Sequence, residues 1–243
     1  MDRSPRQMAL QVSLDDSATF DNFFVAQANR QAVNYLSSAS GAGLEFFTYL
    51  WGGPDAGCSH LLQAVCHQAD ERGEPCFYLP LAEAAQYSPE VFEGLESFPL
   101  VCLDGLEEIA GHDGWERALF TLFNCLRDSG SRLLVAAHCG PRELPVRLPD
   151  LLSRLQSGVV FPLQPLNDEG KRQALQLRAQ QRGIVLSDEV IHYVLQRNER
   201  SMRALFALLE RLDRFSLQTQ RRITVPLVRE LMEHEQQAVA GEP

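Results

Sequence analysis

The sequence predicts a three-layer α/β domain with a parallel sheet, followed by a small helical bundle. Short apolar runs typical of β-strands alternate with helical patterns up to Pro165, and the strand patterns stop after it. Strands that alternate with helices form parallel sheets whose two faces are covered. The strand-like runs are residues 46–51, 76–79, 100–103 and 133–137, and the helical patterns between them cover 59–72, 89–95 and 114–129.

The C-terminal part has the capping residues of consecutive helices. Asn167 or Asp168 can cap a first helix, which Gly183 ends. Ser187 can cap a second helix, a third carries one apolar stripe, and Thr224 begins a fourth. We therefore expect an extended tail at 1–18, an α/β domain at 19–165, a helical domain at 166–235 and a frayed end at 236–243.

Composition and charge argue against several functions. The formal net charge is −10, and residues 1–166 hold 10 basic against 21 acidic side chains, whereas residues 167–243 hold 12 against 11. An acidic α/β domain repels a phosphate backbone, so strong direct DNA binding is not expected. No apolar stretch is long enough to span a membrane, and the first residues lack the apolar core of a signal peptide. We therefore expect a cytoplasmic protein.

The six cysteines are scattered and include no CxxC pair. This spacing is typical neither of a disulfide framework nor of a zinc site. Several cysteines lie in apolar runs, such as Cys102, and we expect these to be small core residues. The nearest approach to a metal cluster is His60 with Cys66 and His67, which lacks a fourth ligand.

A glycine-rich loop follows the first predicted strand. It fits the pattern G-x-x-x-x-G-K-[ST] at Gly52, Gly57 and Ser59, but Cys58 stands in place of the lysine. In such a loop, backbone N–H groups and a helix N-terminus bind phosphate. Losing the lysine removes a contact worth about 1.5–3 kcal/mol, so we expect weakened nucleotide binding and no fast hydrolysis. A surface turn without a ligand is the alternative. The predicted contacts in the loop are Gly52, Asp55, Ala56, Gly57, Cys58, Ser59 and His60.

An acid ends the third predicted strand, where a Walker B motif holds magnesium. This residue is Asp104, and Ser59 would supply the second protein oxygen. The usual second acid is replaced by Gly105, and Glu107 and Glu108 come slightly later. The pattern predicts a P-loop site without a carboxylate placed to polarise the attacking water.

Taken in order, these motifs resemble those of the DnaA-related AAA+ family. The segment 19–24, with Phe20 and Phe23, resembles the one that opens the family's nucleotide-binding domain and packs near adenine. Residues 52–64 resemble its Walker A loop and helix, and residues 103–111 its Walker B region. The resemblance spans residues 7–235 and implies an AAA+ base domain followed by a helical lid.

Within this family the chain is similar to the Hda-like regulators. By this resemblance we expect a regulator with a short tail before the AAA+ base and without the initiator's C-terminal DNA-binding domain after the predicted lid. In that tail, Gln7, Met8, Leu10 and Val12 resemble the peptide that Hda-like proteins dock on the DNA sliding clamp. An extended peptide can place its apolar side chains in a groove while the glutamine hydrogen-bonds. A register beginning at Gln11 and a disordered leader are the alternatives.

The resemblance assigns roles to two arginines. Arg154 lies in a segment, 148–155, similar to the family's arginine-finger box, which implies contact with a γ-phosphate held by a neighbouring molecule. A solvent-facing arginine or a surface ion pair is the alternative for Arg154. Arg203 lies where the family keeps its sensor II arginine, with Arg200 as the alternative.

One further motif departs from the family. Ala137, His138 and Cys139 stand where it carries an acidic sensor I. Together with Cys58 and Gly105, this departure indicates a site that binds nucleotide structurally. The resemblance implies ADP, with magnesium on Ser59 and Asp104 if a metal is bound.

The resemblance thus implies a negative regulator of replication initiation. It would bind ADP, dock on the sliding clamp and present Arg154 to ATP held by DnaA, whose hydrolysis it would stimulate in trans. Intrinsic turnover is not expected to be important, and a homodimer is left open. An AAA+ ATPase in its own right, such as a helicase loader, is the first alternative, against which Cys58 and Gly105 argue. A DNA-binding module is the second, against which the acidic domain argues.

Overall fold

A computed structural model describes residues 14–38 and 45–240, with side chains up to residue 234. The predicted clamp-docking residues Gln7, Met8, Leu10 and Val12 lie outside the described residues. The chain divides into two compact units, Met1–Pro165 and Leu166–Pro243.

The first unit contains a five-stranded parallel sheet. Its strands are β1 (Phe47–Trp51), β2 (Cys76–Pro80), β3 (Leu100–Asp104), β4 (Arg132–Ala137) and β5 (Val159–Pro162). Their order across the sheet is β2-β3-β4-β1-β5, and every neighbouring pair is parallel. The predicted parallel α/β fold is confirmed, with β5 as a strand that the sequence analysis did not predict.

Helices surround this sheet. They are α1 (Arg30–Ser38), α2 (Cys58–Glu71), α3 (Leu81–Ala84), α4 (Asp113–Ser129) and α5 (Pro149–Leu155), with 3₁₀ turns at Gln27–Asn29, Pro89–Phe92, Leu95–Ser97 and Leu106–Glu108. The helix expected over 89–95 is instead a pair of 3₁₀ turns, because Gly94 adopts a left-handed φ of 86° between them.

Two apolar clusters cover the two faces of the sheet. Successive residues of a strand point to opposite faces. Accordingly, Tyr49 of β1 lies in the cluster that contains α4 and α5, and Leu50 in the cluster that contains α1 and α2. Cys66 and Cys102 are fully buried in the second cluster, and all six cysteines are free thiols. The unit therefore has three layers, and two of its cysteines are core residues.

The second unit is helical throughout its regular structure. It contains α6 (Asp168–Gln181), α7 (Asp188–Arg197), α8 (Met202–Thr219) and α9 (Val225–Ala240). The Asn167 side chain, rather than that of Asp168, caps α6 by accepting a 2.8 Å hydrogen bond from Gly170 N–H. Ser187 caps α7 in the same way, through Val190 N–H at 3.3 Å. Across the described part of both units, no helix combines the length and apolarity that spanning a membrane requires.

Candidate nucleotide site and arginine segment

The glycine-rich loop connects β1 to α2 through a tightly closed turn. A Cβ atom on Gly52 would lie 2.5 Å from Ala56 Cβ and 2.6 Å from the carbonyl oxygen of Leu163, so no side chain fits there. Gly57 has a φ of 96°, and α2 begins at the next residue, Cys58. The strand, loop and helix therefore form the arrangement in which backbone N–H groups at a helix N-terminus can bind phosphate.

The segment before α1 packs on this loop. The Phe23 ring lies so close to Gly57 that a Cβ there would be 2.7 Å from Phe23 Cε2. The same ring is 5.2 Å from the His60 ring, measured between centroids. His60 Nε2 lies 2.8 Å from the carbonyl oxygen of Thr19. His60 thus anchors the Phe23 segment to α2, while its predicted nucleotide contact stays a prediction.

Asp104, the acid at the end of β3, is held by a neighbouring strand. Tyr78 of β2 donates a hydrogen bond from its hydroxyl to Asp104 Oδ2 at 2.6 Å, and Gln63 Nε2 donates to the Tyr78 hydroxyl at 3.3 Å. Burial, with the Asp104 carboxylate adding to it, raises the pKa of Tyr78 far above its ordinary value. The phenol therefore remains a protonated donor, and one oxygen of Asp104 is occupied.

Cys58 brings no positive charge to the loop. Burial, with the nearby Asp104 carboxylate adding to it, raises the pKa of the Cys58 thiol to about 12. At neutral pH the side chain is consequently an uncharged thiol. The charge that a P-loop lysine would place against the phosphates is missing.

Glu107 is paired with the residue at the sensor I position. His138 Nδ1 lies 2.9 Å from Glu107 Oε1, and the backbone N–H of His138 donates to Glu107 Oε2 at 3.1 Å. Both carboxylate oxygens therefore have a partner in His138, which holds the Glu107 side chain in place. His138 serves here as the partner of an acid.

Magnesium would find few protein ligands in this site. The described residues contain no group of three or more His, Cys, Asp or Glu side chains arranged to hold a metal ion, and the cluster considered at His60, Cys66 and His67 is not such a group. In Asp104 only Oδ2 is hydrogen-bonded within the described part, which leaves Oδ1. Magnesium at nucleotide sites is typically held by one or two protein oxygens and by phosphates. Magnesium on Ser59 and Asp104 therefore stays a prediction that depends on a bound nucleotide.

The arginine segment, residues 145–155, differs from the nucleotide loop because its charged residue Arg154 is not paired with an acid among the described residues. Arg154 lies in the last turn of α5 and is half-buried. Its guanidinium carbon is 6.0 Å from the centroid of the Phe123 ring of α4. No acid pairs with Arg154 among the described residues, so the surface ion pair considered from the sequence is not formed there.

Glu116 of α4 organises this segment, and the sequence analysis did not single it out. Its side chain is 2% exposed and accepts hydrogen bonds from the backbone N–H groups of Gly111, Arg147 and Leu148. The available signal was an acid inside the apolar stripe of α4, since its neighbour Trp115 and Leu119, one turn later, are also buried.

The two candidate sensor arginines lie in the second unit. Arg200 is 3.6 Å from Asp168 Oδ2, and its carbonyl oxygen accepts a 2.6 Å hydrogen bond from Lys171 Nζ. Arg203 is exposed in the first turn of α8 and has no ion pair with any described residue. Of the two guanidinium groups, only that of Arg203 is uncommitted; its sensor role stays a prediction.

The AAA+ fold has a parallel five-stranded sheet, a phosphate-type loop after its first strand and a helical unit after the sheet, and this chain has all three. Residues 168–232 match a family described as "Hda, lid domain". This match covers most of the second unit, and it supports the resemblance to the DnaA-related AAA+ family.

Solved structures agree with this fold. Domain III of the replication initiation protein DnaA from Thermotoga maritima superimposes with a TM-score of 0.75 at 22% identity, over 92% of this chain and 98% of that one. AMPPCP-bound DnaA from Aquifex aeolicus gives 0.70 at 23%, over 83% and 67%. The Thermotoga maritima RuvB Holliday junction branch migration motor gives 0.66 at 17%, over 88% and 73%.

Proposed function

We propose that this chain is a negative regulator of replication initiation that stimulates the hydrolysis of ATP bound to DnaA. The observation that carries the proposal is the match of residues 168–232 to the Hda lid domain. It relates the chain to Hda-like regulators more closely than a shared AAA+ sheet does. Two further observations support the proposal: the loop lacks its lysine, and Arg154 has no acid partner among the described residues.

In this proposal the chain's own site binds ADP. The backbone of the loop 52–58 and the N-terminus of α2 would hold the phosphates. Phe20 and Phe23 would lie near adenine, and the sensor role of Arg203 stays a prediction. A DnaA protein with this fold has been solved with AMPPCP bound. ADP suits the site because its loop lacks a lysine and therefore has little charge with which to hold a γ-phosphate.

Intrinsic hydrolysis is disfavoured by the pairing of Glu107 with His138 and by the uncharged Cys58 thiol. Hydrolysis needs a carboxylate or similar group that orients water, and it needs positive charge near the transferred phosphoryl group. Glu107 has both oxygens on His138, and Cys58 is an uncharged thiol. The helicase-loader alternative requires both functions and is the less favoured proposal.

Arg154 would act on a neighbouring DnaA molecule. An arginine finger places a permanent positive charge on the γ-phosphate of a partner's nucleotide and stabilises the transition state. The Arg154 guanidinium has no acid partner in the described structure and rests on the Phe123 ring. It therefore has no ion pair to break before it contacts a partner.

Clamp docking through the tail would deliver this arginine to DnaA on DNA. The docking residues lie outside the described structure, but the chain that follows them is anchored. Asp15 N–H donates to Gln63 Oε1 at 2.8 Å, and the Asp15 carbonyl oxygen lies 2.9 Å from His67 Nε2. Gln63 and His67 are one turn apart on α2, so the tail begins from a defined point on the base.

The test measures conversion of radiolabelled ATP to ADP on DnaA, with clamp loaded on DNA and ADP present. We expect hydrolysis to require both the chain and the clamp. The double variant Gln7→Ala, Leu10→Ala should abolish clamp binding and stimulation together, because it removes the glutamine and a central apolar anchor.

Gln11→Ala is the matched control and should change neither quantity; loss with this variant instead would favour the second register. Undiminished clamp binding by the double variant would refute tail docking. Failure of the wild-type chain to stimulate hydrolysis, with clamp and ADP present, would refute the proposed function.

A further inference from the structure

The Glu116 side chain is a buried carboxylate whose hydrogen bonds all come from the backbone. Oε1 accepts from Gly111 N–H at 2.7 Å, and Oε2 accepts from Leu148 N–H at 2.7 Å. Arg147 N–H is shared between the two oxygens, at 3.0 and 3.1 Å. No basic side chain pairs with Glu116 in the described part of the chain. One carboxylate thus connects the loop that follows β3 to the start of α5.

A buried carboxylate of this kind is retained only if its charge is stabilised. Desolvation of an unpaired ion is costly, and hydrogen bonds to the charged form offset it. The three N–H donors supply those bonds, and the position of Glu116 in the first turn of α4 adds the favourable end of the helix dipole. A glutamine would present an NH₂ group to N–H donors and so would lose part of the set. The site therefore specifically needs a carboxylate.

The geometry of α4 and α5 makes this contact relevant to Arg154. Glu116 and Phe123 are about two helical turns apart on α4 and lie on the same side of it. Glu116 holds Leu148, the N-cap residue of α5, and Phe123 lies under Arg154 in its last turn. The helix α5 is consequently attached to α4 at both of its ends. Two attachment points fix the position of a short helix along its axis and its rotation.

We propose that Glu116 is a positioning residue for Arg154: its carboxylate holds the start of α5 so that the guanidinium is presented at a fixed place. This inference rests on the proposed function, because it assumes that Arg154 acts on a partner's nucleotide. A misplacement of a catalytic group by about 1 Å can lower a rate by about a hundredfold. Loss of one end of the α5 attachment is therefore expected to lower the rate at saturation without weakening docking.

The experiment compares Glu116→Gln with Asp113→Asn, an exposed acid in the same turn of α4. Stimulated hydrolysis of DnaA-bound ATP is measured against chain concentration, with clamp on DNA. For Glu116→Gln we expect the rate at saturation to fall about ten- to a hundredfold, with the half-saturating concentration unchanged. Hydrogen exchange at the amides of Arg147 and Leu148 should accelerate. Asp113→Asn should behave as the wild type.

The double variant Glu116→Gln, Arg154→Ala separates positioning from general damage. If Glu116 acts through Arg154, the double variant should be no slower than Arg154→Ala alone. Multiplying effects would overturn the inference, as would a wild-type rate in Glu116→Gln with the two amides exchanging freely. If Arg154→Ala itself leaves the rate unchanged, the proposed function fails; if only Glu116→Gln does so, the inference alone fails.

A backbone variant tests the same contact if Glu116→Gln does not fold. Leu148 has a φ of −79°, which proline can adopt, so Leu148→Pro removes the N–H donor while keeping the chain direction. Leu148→Ala is its control, since it removes the side chain and keeps the donor. We expect the proline variant to be severalfold slower at saturation than the alanine variant; equal rates would overturn the inference.

Discussion

Two regions of the first unit, the nucleotide loop and the arginine segment, differ in how their charged side chains are paired. We refer to them below as the two corners. At the nucleotide loop, Asp104 is bonded to Tyr78, and Glu107 is bonded to His138. At the arginine segment, the buried acid Glu116 bonds only to backbone N–H groups, and the Arg154 guanidinium has no acid partner among the described residues. The acids of the nucleotide loop are thus bonded to nearby side chains, whereas the arginine of the second region has no acid partner in the described part of the chain.

The difference shows how a fold of this class can separate binding from catalysis. Phosphate binding by backbone N–H groups depends on loop shape, which Gly52 and Gly57 maintain. Hydrolysis depends on side-chain charge at defined positions, and those side chains are replaced or occupied here. In the proposed function, the group suited to catalysis is therefore Arg154, which would act on a partner's nucleotide.

The largest expected effect is at Arg154. Arg154→Ala should reduce stimulated hydrolysis of DnaA-bound ATP by about 10³-fold or more, because the transition state loses its trans charge. Arg154→Lys should recover little, since an ammonium cannot reproduce the planar fork of a guanidinium. Clamp binding and thermal melting of both variants check that docking and folding are intact. If Arg154→Ala still stimulated hydrolysis, Arg154 would not be the arginine finger, and the two regions would not differ in function.

An intermediate effect is expected from restoring the missing charge. Cys58→Lys should tighten ADP binding about tenfold or more, since a charge-assisted hydrogen bond contributes about 1.5–3 kcal/mol. Calorimetric titration with ADP measures the change. Cys125→Lys, at an exposed cysteine, is the control and should leave the affinity unchanged. An unchanged affinity in Cys58→Lys would favour the alternative that the loop is a surface turn without a ligand.

The smallest expected effect concerns the hydroxyl that holds Asp104. Tyr78→Phe should lower the free energy of unfolding by about 1–2 kcal/mol, because a hydrogen bond to a charged acceptor is lost in a partly buried place. Urea denaturation measures this, with the half-exposed Tyr87→Phe as the matched control. Equal stability of the two variants would show that the Asp104 carboxylate is not held by Tyr78.

Local patterns were sufficient to predict most of the fold but not the contacts that define the two corners. Four strands were visible as apolar runs, whereas β5 spans only four residues between Gly158 and a terminal proline and depends on pairing with β1. Tyr78 and Asp104 are 26 residues apart and meet only because β2 and β3 are paired in parallel register. The partners of Glu116 are backbone groups, which have no sequence signature.

The order of the strands has a consequence for self-association. The two outer strands of the sheet are β2 and β5, and they end in Pro80 and Pro162. Proline offers no N–H donor, and short outer strands that contain it resist pairing with a strand of another molecule. A second copy of this chain is therefore poorly placed to extend the sheet edge to edge. The prolines therefore disfavour growth of the sheet by addition of strands from other molecules.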